Sequence, residues 1–322
     1  MPFLNLPWVE SPFFEEVLAQ QKNLSKEEIE QARFYSKNGY LVLKNAVPNE
    51  NVNEARQVLE TDLNHHFSKD NPRALNLWKQ SKVLKHLACL PNVLMLLEKL
   101  YGREVIPFQT LNFSAGSQQN PHSDTIHFNS FPEKFMAAAW IALEDMDEEN
   151  GTVVYYPGSH KLKTYDYTDL SPEYSPSQSL DDNFYVNTYE PFIQELMKTQ
   201  GIEPKILTIK KGDVLIWSAN LVHGGLSVKD ATRTRWSQVV HFYFKDCLYY
   251  TPQLSNRASG EWFLRKIENI RTGEKTWGSY NGQAMRRKLA RNFTYLISKN
   301  ASYNMKDFLF LFSRLYYRVF KK

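Results

Sequence analysis

Two histidines and an aspartate pose the first chemical question of this chain. His122-Ser123-Asp124 is followed, far downstream, by His223 in the run Asn220-Leu-Val-His-Gly-Gly225. Together they offer two imidazoles and one carboxylate to a single metal ion, and three ligands on one face leave further positions open. Non-haem Fe(II) oxygenases use that arrangement to hold a cosubstrate and oxygen side by side. On a strand or extended turn, residues i and i+2 project to one side, so His122 and Asp124 can reach one point while Ser123 turns away. Alone the triplet is a weak signal; its neighbours give it weight.

The first neighbour is Arg235-Trp-Ser-Gln-Val-Val-His-Phe-Tyr-Phe244, whose period of two and β-branched and aromatic content predict a strand. Arg235, Ser237, Val239, His241 and Tyr243 then share a face. A guanidinium with a hydroxyl two residues on can grip a carboxylate, which suits the distal carboxylate of 2-oxoglutarate. Spacing leaves Arg233 as an alternative on the same face; Arg235 is preferred for its partner Ser237. The second neighbour runs from Trp140 to Lys161. It reads as an apolar strand, an acidic turn closed by Asn150-Gly151, a strand Thr152–Tyr156 and a Pro157-Gly158 turn, together a hairpin leading out of a sheet.

In series, His122-Ser-Asp124, Trp140-Ile-Ala-Leu143, Asn150-Gly151, Pro157-Gly-Ser-His-Lys161 and His223-Gly224 resemble the phytanoyl-CoA dioxygenase family of Fe(II)- and 2-oxoglutarate-dependent oxygenases. The likeness spans about Leu24 to Phe244, and Ser25–Leu43 resembles the helix and Asn-Gly-Tyr strand with which members begin. It implies a mainly β chain with flanking helices, its core a double-stranded β-helix, the cupin-like jelly roll. Carried over position by position, it implies iron held by His122, Asp124 and His223, 2-oxoglutarate bound by Arg235, with Arg233 in reserve, and Trp140 lying against that cosubstrate. Related halogenases lack the carboxylate, so Asp124 favours hydroxylation, with 2-oxoglutarate and O2 consumed, succinate and CO2 released, and ascorbate as a stimulant.

The elements that must position these groups are also legible. Helices are predicted at about Lys26–Lys37, Asn51–Phe67 and Val83–Tyr101, bracing the sheet from outside. Second contacts that fix the imidazoles are sought in Ser123 and Asn220, the nearest polar side chains in sequence. His65, His66 and His86 are read as structural or solvated, and His160 and His241 as support for the core. Tyr165–Phe192, aromatic and without periodicity, reads as an insertion that covers the mouth. The expected organisation is one oxygenase domain over residues 1–280, with that insertion near 162–205, and a basic, aromatic, helical extension over 281–322.

Composition bounds the rest. The 322 residues are 42% hydrophobic and 14% aromatic, which supports a sizeable buried core. Two cysteines, Cys89 and Cys247, form neither a disulfide framework nor a zinc pattern, and suit a reducing compartment. The N-terminus lacks the basic and apolar regions of a secretory signal, and no run approaches the about 18–20 apolar residues of a membrane span. The reading is a cytoplasmic protein with a small-molecule substrate and no nucleic-acid partner. Net charge is +4, yet residues 281–322 hold ten Lys or Arg against one acid. That extension is expected to pack on the body, with peripheral contact to an anionic membrane as the second reading. Composition leaves the oligomeric state open. Two other functions stand beside the oxygenase: a cupin-type metal enzyme of another reaction class, and a silent jelly-roll binding protein.

Overall fold

The computed structural model describes residues 5–68, 70–171 and 184–284. Six strands make the main sheet: β1 (Tyr40–Leu43), β2 (Arg73–Leu75), β3 (Val105–Phe113), β5 (Met136–Ala142), β8 (Val214–Ser218) and β10 (Ser237–Phe244), in the order β1-β8-β5-β10-β3-β2. Every pairing is antiparallel. A smaller sheet of β7 (Lys205–Ile206), β6 (Val153–Tyr155) and β9 (His223–Gly225) faces it. The strand β4 (Asn129–Phe131) pairs with β11 (Leu248–Tyr250) beside them. This is the jelly roll the sequence implied.

Strand alternation divides the apolar residues into two cores. Ala139 and Ile141 of β5, with Val214 and Ile216 of β8, pack towards the helices. Ala138, Trp140 and Ala142, with Leu215, Trp217 and Val239, point into the space between the sheets, where Val153 and Tyr155 of β6 meet them. Because both faces of β5 and β8 are covered, Met136–Ala142 and Val214–Ser218 are buried throughout, which explains why these runs are apolar at nearly every position.

The braces are α1 (Phe14–Leu18), α2 (Lys26–Asn38), α3 (Asn49–Glu60), α4 (Lys82–Leu87) and α5 (Pro91–Tyr101). A capping box between Ser25 and Glu28 starts α2. Gly39 ends it at φ 79°, and a Cβ there would lie 2.5 Å from the His160 ring, so both conformation and space require glycine. Two predicted helices come out shorter. The second stops at Glu60, and the third divides before Pro91, whose ring cannot continue α4 but suits the first turn of α5.

Two further expectations change. The strands on either side of Asn150-Gly151 do not form a hairpin: β5 joins the main sheet and β6 the small one, so the acidic turn crosses between sheets. The segment after Tyr165 is not an open loop. It carries α6 (Tyr167–Leu170), a π-helical turn at Tyr185–Tyr189 and α7 (Glu190–Thr199), which close a third apolar core with Ile126 and Val222. Residues 172–183 of it, and all of the basic extension from 285 on, lie outside the described residues. No helix among the described residues is long and apolar enough to cross a membrane.

Candidate metal centre

The two segments that carry the histidines lie backbone against backbone. The His122 N–H donates to the His223 carbonyl and the His223 N–H to the His122 carbonyl, both at 2.9 Å. Approach this close needs the glycines after His223, since a Cβ on Gly224 would sit 2.7 Å from the Gln119 carbonyl oxygen. Asp124 is not on a strand but opens a single 3-10 turn, Asp124–Ile126, after an extended Ser123. The turn brings the carboxylate under the two rings. One ligand atom each from His122, Asp124 and His223 lies within 4.8 Å of the others, in a buried setting.

Each ligand is aimed by a contact on its far side. The Nδ1–H of His122 donates to the Asn120 carbonyl at 2.9 Å, and that of His223 to the Leu221 carbonyl at 3.0 Å. A carbonyl only accepts, so both rings carry their proton on Nδ1 and present a bare Nε2. These backbone groups, not Ser123 and Asn220, set the tautomers. Ser123 does turn away, to the Ala219 carbonyl and Asn220 Oδ1, while the Asn220 amide donates to the carbonyls of His160 and Leu162. The pair ties the ligand loops together. Trp217 Nε1 donates to Asp124 Oδ2 at 2.8 Å, leaving Oδ1 3.9 Å from His223 Nε2.

Electrostatics agree with ligation. Burial pushes His122 down to about 3 and His241 to about 4, so these imidazoles are neutral at physiological pH. Burial works against the Asp124 carboxylate, but the His223, His241 and His122 rings and the Trp217 N–H overcome it and hold the group below its ordinary value. One imidazole nitrogen from each of His122 and His223 and one carboxylate oxygen of Asp124 form a donor set that fits Fe(II).

Arg233 and Arg235 separate clearly. Arg233 reaches outward and pairs with Asp147 at 2.7 Å. Arg235 is 2% exposed, lies over the rings of Trp140 and Phe113 at 5.4 and 5.3 Å, and donates to the Ala115 carbonyl. Burial pushes its guanidinium down to about 10, with Glu144 opposing. It forms no ion pair among the described residues, its Nε has no partner, and the Ser237 hydroxyl is also buried without one. Buried donors without acceptors are rare and costly. A carboxylate bound between them fits this pair, so the residues present are suited to 2-oxoglutarate.

Several side chains of the site carry no motif. Trp217 was hidden in an apolar strand. His241, placed 4.0 Å from Asp124 Oδ2 and bonded through Nδ1 to Gln109, is held beside the centre. His127 stands 6.3 Å from the His122 ring, fixed by Gln253 Oε1 at 2.6 Å and 5.3 Å from the Tyr185 ring. The one available signal was periodicity, which puts Trp217 on the interior face with Leu215. His160 packs under Gly39 and bonds the Ser36 carbonyl, as a core residue should.

Comparison with known proteins bears on the same residues. A model of the phytanoyl-CoA dioxygenase family matches residues 35–234. Peroxisomal phytanoyl-CoA dioxygenase of Rattus norvegicus is 25% identical over 281 residues, covering 78% of this chain and 77% of that protein. The Homo sapiens protein is 26% identical over 251 residues, 69% of this chain and 70% of its own. Among solved structures, the alpha ketoglutarate dependent carbocyclase SnoK from nogalamycin biosynthesis superposes with a TM-score of 0.55 at 20% identity, over 71% of this chain and 87% of that one. Iron-bound EctD from S. alaskensis does so with a TM-score of 0.54 at 17% identity, over 81% and 88%. Those two likenesses are of fold; the family match, which includes all three candidate iron ligands, goes further. The chain belongs to the phytanoyl-CoA dioxygenase family of Fe(II)- and 2-oxoglutarate-dependent oxygenases.

Proposed function

We propose that this 2-oxoglutarate-dependent dioxygenase hydroxylates a small molecule or conjugated metabolite, with His122, Asp124 and His223 as the iron ligands and Arg235, Ser237 and Trp140 as the cosubstrate site. The observation that carries it is the pairing of a buried two-histidine, one-carboxylate cluster with a buried arginine that has no carboxylate partner among the described residues. Bound Fe(II) supplies oxygen activation coupled to decarboxylation of 2-oxoglutarate.

The protein's own part is orientation and exclusion. His122 and His223 offer Nε2 because their Nδ1–H groups are engaged, and Asp124 offers Oδ1 because Trp217 holds Oδ2. Arg235 Nε and the Ser237 hydroxyl would donate to the distal carboxylate, and Trp140, over which Arg235 lies, would pack against the carbon chain. Trp140, Trp217, Phe113 and Val239 line the space between the sheets with apolar surface and keep water from the reacting atoms. The described parts of the insertion, through Tyr185 beside His127 and Glu190 bonded to Asn120, support its reading as a cover. Two free thiols support a reducing, cytoplasmic setting.

The test is succinate release by purified enzyme given Fe(II), ascorbate, O2 and 2-oxoglutarate, followed by product analysis with a metabolite pool. A hydroxylated product carrying one atom from O2 is expected. Turnover that leaves every product without new oxygen removes the hydroxylase reading, and no binding of 2-oxoglutarate removes the cosubstrate site.

A further inference from the structure

The chain beyond the barrel returns to the metal centre. After β10, the segment of β11 pairs with β4, which follows the ligand triplet by four residues. It turns at Pro252–Leu254 and comes back so that Thr251 bonds the Phe263 carbonyl and Arg265 the Tyr249 carbonyl. Gln253 from this turn fixes His127, and the Arg265 guanidinium lies 4.8 Å from the Phe128 ring. Phe128 in turn lies 4.8 Å from the His241 ring, whose Nε2 is 4.0 Å from Asp124. Arg265 therefore stands one aromatic ring away from the residue beside the iron ligands.

Two arginines of this returning segment behave differently. Arg257 is saturated, with Asp166 at 2.7 Å and Glu133 at 2.9 Å. Arg265 has no carboxylate partner among the described residues; its one side-chain hydrogen bond there goes to the Thr251 hydroxyl at 2.9 Å. A guanidinium carries five N–H donors, so most of this fork remains to be used. Stacking on Phe128 and the bond to Thr251 hold it in place, which lowers the entropy lost when an anion docks. Across the same wall Arg73 of β2, exposed and likewise without an ion pair among the described residues, contributes to the field at His127 and Tyr185. Other arginines of the described chain, such as Arg33, Arg56, Arg233 and Arg271, are matched with acids.

We propose that the prime substrate carries an anionic group, a carboxylate or a phosphate monoester, held by Arg265 with Arg73 adding to the attraction, so that the carbon chain passes Phe128 towards the iron. This deepens the oxygenase reading and rests on it. Arg265 lies in the return segment, outside residues 35–234 that the family model matches.

The probes are phenyl phosphate, benzoate and neutral benzyl alcohol, titrated anaerobically into enzyme loaded with Fe(II) and 2-oxoglutarate. Paramagnetic broadening of the aromatic protons reports binding near the metal. Either anion is expected to bind at least tenfold more tightly than the alcohol, and the stronger of the two tells phosphate from carboxylate. Arg265→Gln should weaken the anion at least tenfold, Arg265→Lys less, and Arg33→Gln not at all. Equal affinity for charged and neutral probes overturns the proposal, as does an Arg265→Gln affinity within twofold of wild type. Should Arg265→Gln fail to fold, salt decides on the wild type: anion binding must fall as ionic strength rises while alcohol binding stays flat, and a flat anion response overturns the proposal. Loss of succinate release by the wild type strikes the oxygenase reading; normal release with charge-blind binding strikes only the anchor.

Discussion

The metal end and the arginine end of the barrel are both buried, but they are finished to different degrees. At the metal end the atoms that face away from the ion are engaged: both Nδ1–H groups by carbonyls, Asp124 Oδ2 by an indole. At the other end Arg235 Nε and the Ser237 hydroxyl stand buried with nothing to donate to. A site for a resident ion can be aimed by its own protein, because each ligand has a second atom to be held by. A site for a consumed cosubstrate, the role proposed for Arg235 and Ser237, has to keep its donors free, and the folded chain would bear that cost until the cosubstrate binds.

The largest effect expected from this contrast is at the metal end. Asp124→Ala should abolish iron binding and reduce succinate release by more than a thousandfold, measured with equal protein and saturating Fe(II); full turnover would remove Asp124 from the ligand set. Arg235→Met separates the two ends. It should raise the 2-oxoglutarate requirement at least a hundredfold while leaving iron affinity near wild type, and should leave the ligand-free protein as stable or more so, since replacing an unpaired buried charge by apolar volume is often neutral or stabilising. A fall in melting temperature without cosubstrate would mean that Arg235 is already satisfied.

Trp217→Phe keeps the packing and removes the indole N–H. Contacts behind metal ligands commonly carry about ten- to hundredfold in metal affinity, and a loss of that size is expected by iron titration. Acidity probes the same end. His122 and His241 have depressed values when folded, so the unfolded chain takes up protons first. Stability of the metal-free enzyme is therefore complete above the unfolded value near 6.5 and is lost as pH falls towards about 4, by about 1.4 kcal/mol per pH unit for each imidazole. Chemical denaturation at pH 7, 6 and 5 checks the slope. The smallest effect belongs to Arg233→Gln, which breaks one exposed pair with Asp147 and should cost about 0–1 kcal/mol with no change in 2-oxoglutarate affinity.

What the amino-acid sequence makes legible is local. Side-chain types at fixed spacing singled out His122, Asp124 and His223, which the fold brings together, and period-two alternation predicted a strand from Arg235, although the strand begins at Ser237 and Arg235 precedes it. Pairing partners were harder to read: Asn150-Gly151 signals a turn without saying whether the next strand stays in the same sheet. Trp217 was missed because its value lies in an N–H that meets Asp124 across 93 positions of sequence, and an apolar strand offers no local mark of that. Arg265 was missed for the same reason, since its surroundings are built by a return of the chain that only folding reveals.

The reciprocal hydrogen bonds between His122 and His223 close the ligand loops on each other without help from an ion. Stripping the enzyme with a chelator should therefore yield a stable, reloadable vessel rather than an unravelled chain. Cobalt, nickel or manganese offered afterwards would meet the same three donors, and which of them prevails in a cell becomes a matter of supply and of the ordinary ranking of divalent ions.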